Sequence, residues 1–278
     1  MPLGFPAEGF ESGLKYVPCP GDVFVCTYPK CGTTWTQYIV YLLTRGGEPL
    51  APGESLGSVF PHLEEVGSEA LAAMPAPHLI KTHLPRELTP FSSAARYLYV
   101  ARNPFDCVVS FYHHTRGFPR HYDFAAGTFA DFFECFIHGE VDFGDYFDHL
   151  VSWHALAGAS NVRFLTYEQM RADTHSAVRA IGEFLGSPAA ECVGDTAQVE
   201  RVLAASSFAS MRKDQQRWSS ERPADMPEFI RSGAVGDWRT MLTAQQAARL
   251  LARFTERTAG TPAASLWPDI METARRAR

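Results

Sequence analysis

Short apolar runs alternate with helical patterns along most of the chain. Runs rich in β-branched and aromatic residues predict buried strands at residues 23–28, 78–83, 97–102 and 162–167. Helical patterns occur at residues 33–44, 103–114, 129–158, 168–185 and 244–259. Strands separated by helices are typical of a parallel sheet with helices on its faces. The pattern therefore predicts an α/β protein with a single domain, residues 1–278, built on a parallel sheet flanked by helices.

Two stretches rich in proline and glycine interrupt this alternation, at residues 48–57 and 219–236. They predict long loops, and loops of that length are often functional lids. Asn103 and Pro104 give a sharper signal for the helix over 103–114, because asparagine is a common N-cap and proline is common in the first helical turn.

The composition is that of an ordinary globular protein: 278 residues, 46% hydrophobic and 20% charged. A formal net charge of −6 argues against a surface dedicated to nucleic acid, although a local basic pocket stays compatible with it. The six cysteines are scattered without a C-x-x-C pair, which predicts reduced thiols and no metal site of the zinc type.

The first residues, MPLGFPAEGFESG, lack the basic and apolar segments of a signal peptide. The sequence also has no apolar stretch near the ~20 residues that a membrane helix needs. We therefore expect a cytoplasmic protein that has no membrane or nucleic-acid partner.

The segment TYPKCGTTW joins the first predicted strand to its helix. A helix N-terminus offers an anion unpaired N–H groups and the positive end of the helix dipole. Gly32 lets the backbone approach a ligand, Thr33 and Thr34 add hydroxyl donors, and Lys30 adds a cation. The lysine precedes the glycine, so this is not the Walker pattern of magnesium-nucleotide enzymes. By itself the segment also fits an ordinary turn with a solvated lysine.

A second candidate is KTHLP, at the end of the strand over 78–83. Lys81 and His83 are two residues apart, so on a strand their side chains share one face. A histidine can accept a proton near neutral pH, and a neighbouring lysine can neutralise developing charge. A histidine near a strand end is also often structural.

These segments resemble motifs of one enzyme family. TYPKCGTTW is similar to the 5′-phosphosulfate loop of the cytosolic sulfotransferases, usually TYPKSGTTW, and KTHLP matches their catalytic element. YVARNPFDCVVSFYHH resembles their 3′-phosphate element, and FIRSGAVGDW resembles their F-x-R-K-G-x-x-G-D-W element. The motifs occur in the expected order between about residues 22 and 254. The resemblance implies the P-loop-like sulfotransferase fold and transfer of a sulfuryl group from 3′-phosphoadenosine-5′-phosphosulfate to a small acceptor, leaving adenosine 3′,5′-bisphosphate, with no metal.

The same resemblance assigns roles to individual residues. It implies that His83 is the general base and that Lys81 and Lys30 stabilise the transferring group. The donor-binding residues that it implies are Lys30, Cys31, Gly32, Thr33, Thr34, Trp35, Arg102, Ser110, Tyr167, Ser207 (or Ser206), Phe208, Arg231, Ser232 and Gly233. Two of them depart from the family pattern: Cys31 replaces a serine, and Ser232 stands where lysine is usual.

The acceptor is less well defined. We expect an aromatic pocket formed by Phe60, Phe118 and Phe229 around His83, which suits a phenol or another flat alcohol. Glu64, Glu65 and Asp123 are further candidates, because a carboxylate could pair with a cationic amine such as a phenolic monoamine. His113 and His114 are expected to cap their helix or to face solvent.

Two other functions stay open at this point: a small-molecule kinase on a P-loop scaffold, and a binding protein that retains the fold without activity. The missing Walker lysine argues against the first, and the presence of Lys30, Lys81 and His83 against the second. Many relatives carry a dimerisation motif, K-x-x-x-T-V-x-x-x-E. Here Arg239, Thr243, Ala244 and Ala248 occupy its defined positions. Because the final glutamate is missing, we expect a monomer in preference to a homodimer.

Overall fold

The computed structural model describes residues 4–118, 121–218 and 228–276. Four strands form its sheet: β1 (Val23–Thr27), β2 (Leu79–Thr82), β3 (Arg96–Ala101) and β4 (Val162–Thr166). They are all parallel and lie in the order β2-β1-β3-β4. Every predicted strand is therefore confirmed, each ending one residue earlier than expected, and the α/β fold class is confirmed with them.

Helices cover both faces of the sheet. In chain order they are α1 (Ala7–Gly13), α2 (Thr33–Thr44), α3 (Leu56–Val59), α4 (Leu63–Ala72), α5 (Pro104–Gly117), α6 (Phe129–His138), α7 (Tyr146–His154), α8 (Tyr167–Ala172), α9 (Thr174–Leu185), α10 (Ala189–Gly194), α11 (Thr196–Ala205), α12 (Phe208–Arg212), α13 (Ala244–Thr258) and α14 (Pro268–Arg276). Short 3₁₀ turns lie at Gln215–Trp218, Asp237–Thr240 and Pro262–Ser265.

The core is divided by the sheet into two apolar layers. Phe24 stacks on Tyr97 in one layer, with ring centroids 4.8 Å apart. Val25 and Leu98, the next residues along the same strands, belong to the other layer with Ile39 of α2. Because helices cover both faces, all five residues of β1 are buried, as is usual for parallel sheets.

Two predicted helices are each divided in the structure. The stretch 129–158 contains α6 and α7, because Gly139 ends α6 at a φ of 73° and Asp145 caps the start of α7. The stretch 168–185 contains α8 and α9, divided at Asp173, which accepts a hydrogen bond from the Ser176 amide as the cap of α9.

The remaining differences concern loops and helices that the pattern did not indicate. The loop predicted over 48–57 is present over residues 48–55, and its last two residues belong to the short helix α3, whose cap is Ser55. Of the loop predicted over 219–236, residues 219–227 lie outside the described residues. Helices α1, α4, α10–α12 and α14 lie outside the predicted helical stretches. Among the described residues, no helix is both long enough and apolar enough to cross a bilayer.

Candidate active site

The four parallel strands end at one edge of the sheet, and each delivers a side chain to the same cavity. Lys30 lies in the loop after β1, His83 follows β2, Arg102 follows β3 and Tyr167 follows β4. The cavity has a volume of about 470 Å³. Ligands in open α/β sheets usually bind at the carboxyl ends of the strands. The cavity is therefore the candidate active site.

The loop between β1 and α2 is shaped to approach a ligand closely. Gly32 has a φ of 90°, a left-handed conformation that favours glycine. A Cβ at this position would lie 2.8 Å from Cδ2 of Tyr167, so a larger residue would also clash. Helix α2 begins directly afterwards, and its first residues, Thr33 and Thr34, line the cavity. The expected juxtaposition of a helix N-terminus, threonine hydroxyls and a lysine is present.

Lys30 reaches from this loop towards the centre of the cavity. Its Nζ lies 3.4 Å from Nδ1 of His114 and 4.6 Å from the ring centroid of Phe229. Burial is the main reason that the pKa of Lys30 is lowered to about 7, and the neighbouring cations Lys81 and Arg102 contribute to the same shift. A bound anion would therefore favour the charged form of this lysine.

His83 is buried, and its hydrogen bonds define its tautomer. Nδ1 lies 2.8 Å from the carbonyl oxygen of Thr27, an atom that can only accept, so Nδ1 carries the proton. Nε2 therefore holds the lone pair. Burial lowers the pKa of His83 well below its usual value, with Lys81 and His62 adding to the effect. Both Lys81 and His83 line the cavity. At neutral pH the ring is uncharged and can accept a proton.

Glu64 of α4 holds the backbone of His83 in place. Its Oε1 accepts hydrogen bonds from the His83 amide at 2.6 Å and from Oγ1 of Thr82 at 3.1 Å. Burial raises the pKa of Glu64. Glu64 is thus hydrogen-bonded within the protein and does not line the cavity, whereas a partner for an amine substituent would have to line it. Of the candidate carboxylates, Glu65 lines the cavity, whereas Asp123 is exposed and does not.

At the other end of the cavity from His83, Arg102 connects the loop after β1 to the segment after residue 228. It donates to the carbonyl oxygen of Lys30 at 3.3 Å and to that of Ala234 at 3.1 Å, and its guanidinium lies 4.7 Å from the ring centroid of Tyr167. Its Nε is buried without a hydrogen-bond partner among the described residues. Ser110 of α5 lines the same end.

The segment after residue 228 closes this end. Arg231, Ser232 and Gly233 line the cavity, and Arg231 forms an ion pair with Asp237. Gly233 has a φ of 63°, and a Cβ there would lie 2.8 Å from Cδ2 of Phe208. The backbone of the segment therefore lies directly against an aromatic ring.

An aromatic slot lies beside these cations. The rings of Trp35 and Tyr167 meet edge to face, with centroids 5.7 Å apart. Nε1 of Trp35 donates to the carbonyl oxygen of Ser206 at 3.0 Å, and the hydroxyl of Tyr167 donates to that of Gly233 at 2.8 Å. Phe208 also lines the cavity, with its ring beside Gly233, so the three aromatic side chains form an apolar slot that a planar base could enter. The cavity thus combines a base-sized slot with cations at two separate points, an arrangement that fits a nucleotide with two phosphate groups.

Comparison with known proteins agrees with this geometry. The sulfotransferase domain model matches residues 20–262. The chain is 34% identical over 246 residues to rabbit sulfotransferase 1C2, covering 83% of this chain and 81% of the relative. It is 35% identical to rat sulfotransferase 2B1, covering 87% and 72%. The chain belongs to the sulfotransferase family.

Solved structures show the same fold. The crystal structure of mouse sulfotransferase SULT7A1 complexed with PAP has a TM-score of 0.77 and 25% identity, covering 98% of this sulfotransferase and 94% of the mouse chain. A retinol dehydratase in complex with retinol and PAP has a TM-score of 0.78 and 22% identity, covering 92% and 87%, and it agrees in fold. The predicted sulfotransferase fold and enzyme class are both confirmed.

Two of the donor residues implied by the motifs lie differently from expectation. The thiol of Cys31 is buried against that of Cys107, 3.8 Å away, and Cys31 does not line the cavity. Ser207 caps α12 by accepting from the Ser210 amide, whereas its neighbour Ser206 lines the cavity. Of the two serines considered, Ser206 is therefore the one in position. The other implied donor residues of the sulfotransferase all line the cavity.

The acceptor end is aromatic but contains more histidine than expected. Phe60, Phe118 and Phe229 line it, as the sequence predicts. His62 and His114 line it too. The expectation that His114 faces solvent or caps its helix is wrong, since its ring packs against that of Phe118 with the ring centroids 4.5 Å apart. The physical reason is that α5 turns this residue towards Lys30. No sequence signal distinguished these two histidines from surface residues.

Proposed function

We propose that this sulfotransferase transfers the sulfuryl group of 3′-phosphoadenosine-5′-phosphosulfate to the hydroxyl of a small phenolic acceptor, with His83 as general base. The observation that carries the proposal is the tautomer of His83. Its Nδ1 proton is held by the Thr27 carbonyl oxygen, which leaves the Nε2 lone pair for the acceptor in a cavity that Lys30 and Lys81 also line.

The donor residues fit the two ends of this cosubstrate. The loop amides at the start of α2, with Lys30, Thr33 and Thr34, would hold the 5′-phosphosulfate. Arg102, Ser110 and Arg231 would hold the 3′-phosphate, and the buried Nε of Arg102 that has no partner among the described residues is consistent with such a ligand. The aromatic slot of Trp35, Tyr167 and Phe208 would take the adenine. Mouse SULT7A1, whose crystal structure contains PAP, supports this assignment.

The cosubstrate supplies an electrophilic sulfur bonded to a phosphate leaving group. Nε2 of His83 accepts the proton of the acceptor hydroxyl as that oxygen bonds to sulfur and the bond from sulfur to the phosphate oxygen breaks. Lys30 and Lys81 neutralise the charge that grows on the leaving phosphate and the sulfuryl oxygens. Glu64 keeps His83 in register through its amide. The products are a sulfate ester and adenosine 3′,5′-bisphosphate, and the proton resides on His83.

An aromatic acceptor follows from the side chains around His83. Phe143 packs against the His83 ring with centroids 5.1 Å apart, and Phe60, Phe118 and Phe229 complete an apolar wall. Such a pocket favours a flat ring with one hydroxyl directed at His83. Glu65 is the lining carboxylate that would suit an amine substituent, so phenolic monoamines belong to the proposed class.

The proposed base is tested by replacing His83 with alanine and measuring transfer from labelled donor to a panel of phenols. We expect kcat to fall by about 10²–10⁴-fold, the usual contribution of a general base. The affinity for adenosine 3′,5′-bisphosphate should stay close to the wild-type value, because His83 is proposed to contact the acceptor and not the nucleotide.

His138→Ala is the matched control, since that histidine is 61% exposed and does not line the cavity. Unchanged turnover in His83→Ala would refute the base. Preference of the wild-type protein for ATP with magnesium over adenosine 3′,5′-bisphosphate would refute the donor.

A further inference from the structure

His62 is a second histidine at the acceptor end, and the fold accounts for only one of its two ring nitrogens. The residue is 7% exposed and lines the cavity. Its Nε2 and Oε2 of Glu64 are buried 3.4 Å apart, and neither atom has a hydrogen-bond partner outside this pair among the residues that the structure describes. Packing alone would be served by phenylalanine, because the ring contacts Phe5 and Phe143 edge-on or tilted. The Glu64 carboxylate accounts for Nε2 and leaves Nδ1 as the ring nitrogen that a ligand could use.

The position of His62 is determined by a short backbone link to β2. The Lys81 amide donates to the carbonyl oxygen of Pro61 at 2.9 Å, and His62 pairs with Lys81 as an isolated parallel bridge. This link places the residue before α4 beside the catalytic strand. As a result, the ring centroids of His62 and His83 lie 5.0 Å apart, at an interplanar angle of 84°.

The surroundings of His62 indicate which nitrogen carries the proton. Oε2 of the Glu64 carboxylate can only accept, so the nitrogen nearest to it, Nε2, is the protonated one. The other nitrogen, Nδ1, lies 3.9 Å from Oε2 of Glu65, a cavity-lining residue whose side chain is 43% exposed. Burial and the Lys81 charge lower the pKa of His62 well below its usual value, so the ring is neutral. Nδ1 therefore holds a lone pair on the cavity side.

Two neighbouring imidazoles thus offer lone pairs to the same acceptor. The lone pair of His83 takes the proton of the hydroxyl that reacts. The lone pair of His62 needs a second hydrogen-bond donor on the same edge of the ligand. A neutral hydroxyl can donate to Nδ1 without repulsion from the Lys81 charge, and it leaves Glu65 available for the amine substituent of a phenolic monoamine. A hydroxyl is also small enough to share the edge of a ring with the reacting group.

We propose that His62 is a specificity-determining residue that selects dihydroxyaromatic acceptors by accepting a hydrogen bond from the hydroxyl that does not react. The inference rests on the proposed function, because it requires phenol sulfation at His83. It adds the substrate class to that function and assigns a role to a residue outside the recognised motifs.

The test compares acceptors that differ by one hydroxyl. Catechol is paired with 2-methylphenol and resorcinol with 3-methylphenol, since a methyl group has nearly the size of a hydroxyl. For each pair, kcat/KM of the dihydroxy compound is divided by kcat/KM of its methyl analogue. This ratio is measured for the wild-type protein and for His62→Phe, which keeps a planar ring and removes both nitrogens. Dividing the two ratios removes the intrinsic reactivity difference between the phenols.

We expect the wild-type ratio to exceed that of His62→Phe by about 10-fold or more for one of the two pairs, the scale of one lost hydrogen bond in a buried site. That pair identifies the spacing of the two hydroxyls. His62→Asn, which retains an acceptor atom, should recover part of the discrimination. Affinity for adenosine 3′,5′-bisphosphate reports on folding and should stay unchanged in both variants.

Equal ratios in the wild-type protein and His62→Phe for both pairs would overturn the proposal, including the case in which all rates fall together. That result would still be compatible with the proposed sulfation of phenols by the wild-type protein. Failure of the wild-type protein to sulfate any of the four phenols would instead refute the proposed function, so the two failures are distinguishable.

Discussion

Without a bound anion Lys30 is half protonated near pH 7, because burial and the charges of Lys81 and Arg102 lower its pKa to about 7. A bound phosphate is an opposite charge at short range and raises this pKa again. Below pH 7 the lysine already carries its proton, so binding is unaffected by this step. Above pH 7 Lys30 must take up a proton when the phosphate binds, so each further pH unit weakens the affinity for the nucleotide.

We therefore expect the affinity for adenosine 3′,5′-bisphosphate to decrease from pH 7 upwards, by at most about tenfold per pH unit. Calorimetric titrations in buffers of different ionisation enthalpy should show proton uptake over the same range. Lys30→Arg is the matched control, since arginine stays charged and should give a much flatter profile. The same slope in wild-type protein and Lys30→Arg would assign the pH dependence to another group.

At the scale of elements, the carboxylate of Asp106 attaches the segment after residue 228 to the first turn of α5. It accepts hydrogen bonds from the Gly236 amide at 2.8 Å and from the Trp238 amide at 3.1 Å, and a third from Nδ2 of Asn103. The helix N-terminus favours this negative charge. The attachment holds Arg231 and its neighbours over the cavity.

Asp106→Ala should therefore weaken both folding and donor binding. Two backbone amides would lose a buried partner, which costs about 1–3 kcal/mol each in the free energy of unfolding. We expect affinity for adenosine 3′,5′-bisphosphate to fall by about tenfold or more, measured beside urea unfolding. Asp131→Ala removes the exposed N3 carboxylate of the capping box of α6, which accepts from the N-cap residue Thr128, and should cost only about 1 kcal/mol without affecting affinity. Unchanged affinity in Asp106→Ala would mean that the segment keeps its place without the carboxylate.

How far the sequence predicts the site depends on how each element is placed. The motif resemblance implies roles for Lys30, His83 and Arg102, and parallel strands explain why these residues, at or just after the carboxyl ends of three strands, meet in one cavity. His62 and Glu64 lie at the start of α4, which contacts β2 through a link between Pro61 and Lys81. That placement is set by tertiary packing, which no local period records. The division of residues 129–158 was missed because Gly139 adopts a left-handed conformation inside an otherwise helical pattern.

The surface of the whole molecule bears on its oligomeric state. Among the described residues, the large apolar side chains that are exposed are Val17, Leu88 and Val235, which are far apart in the sequence. Scattered apolar residues of this kind do not by themselves mark an interface. In the segment that corresponds to the family's dimerisation motif, Thr243 caps α13 by accepting from the Gln246 amide. Thr243, the threonine of this motif, thus serves as a helix cap within its own chain.

We expect a monomer of 30.8 kDa in light scattering coupled to size exclusion at micromolar concentration. The prediction has a counterpart variant, because the chain differs from the family's motif at Arg239, Ala244 and Ala248. Changing these to lysine, valine and glutamate restores the charges and the β-branched residue of K-x-x-x-T-V-x-x-x-E. If the missing glutamate is the reason for the monomer, the triple variant should increase in mass with concentration. A wild-type mass of twice the monomer value at low micromolar concentration would contradict the prediction, and an interface would then have to lie elsewhere on the surface.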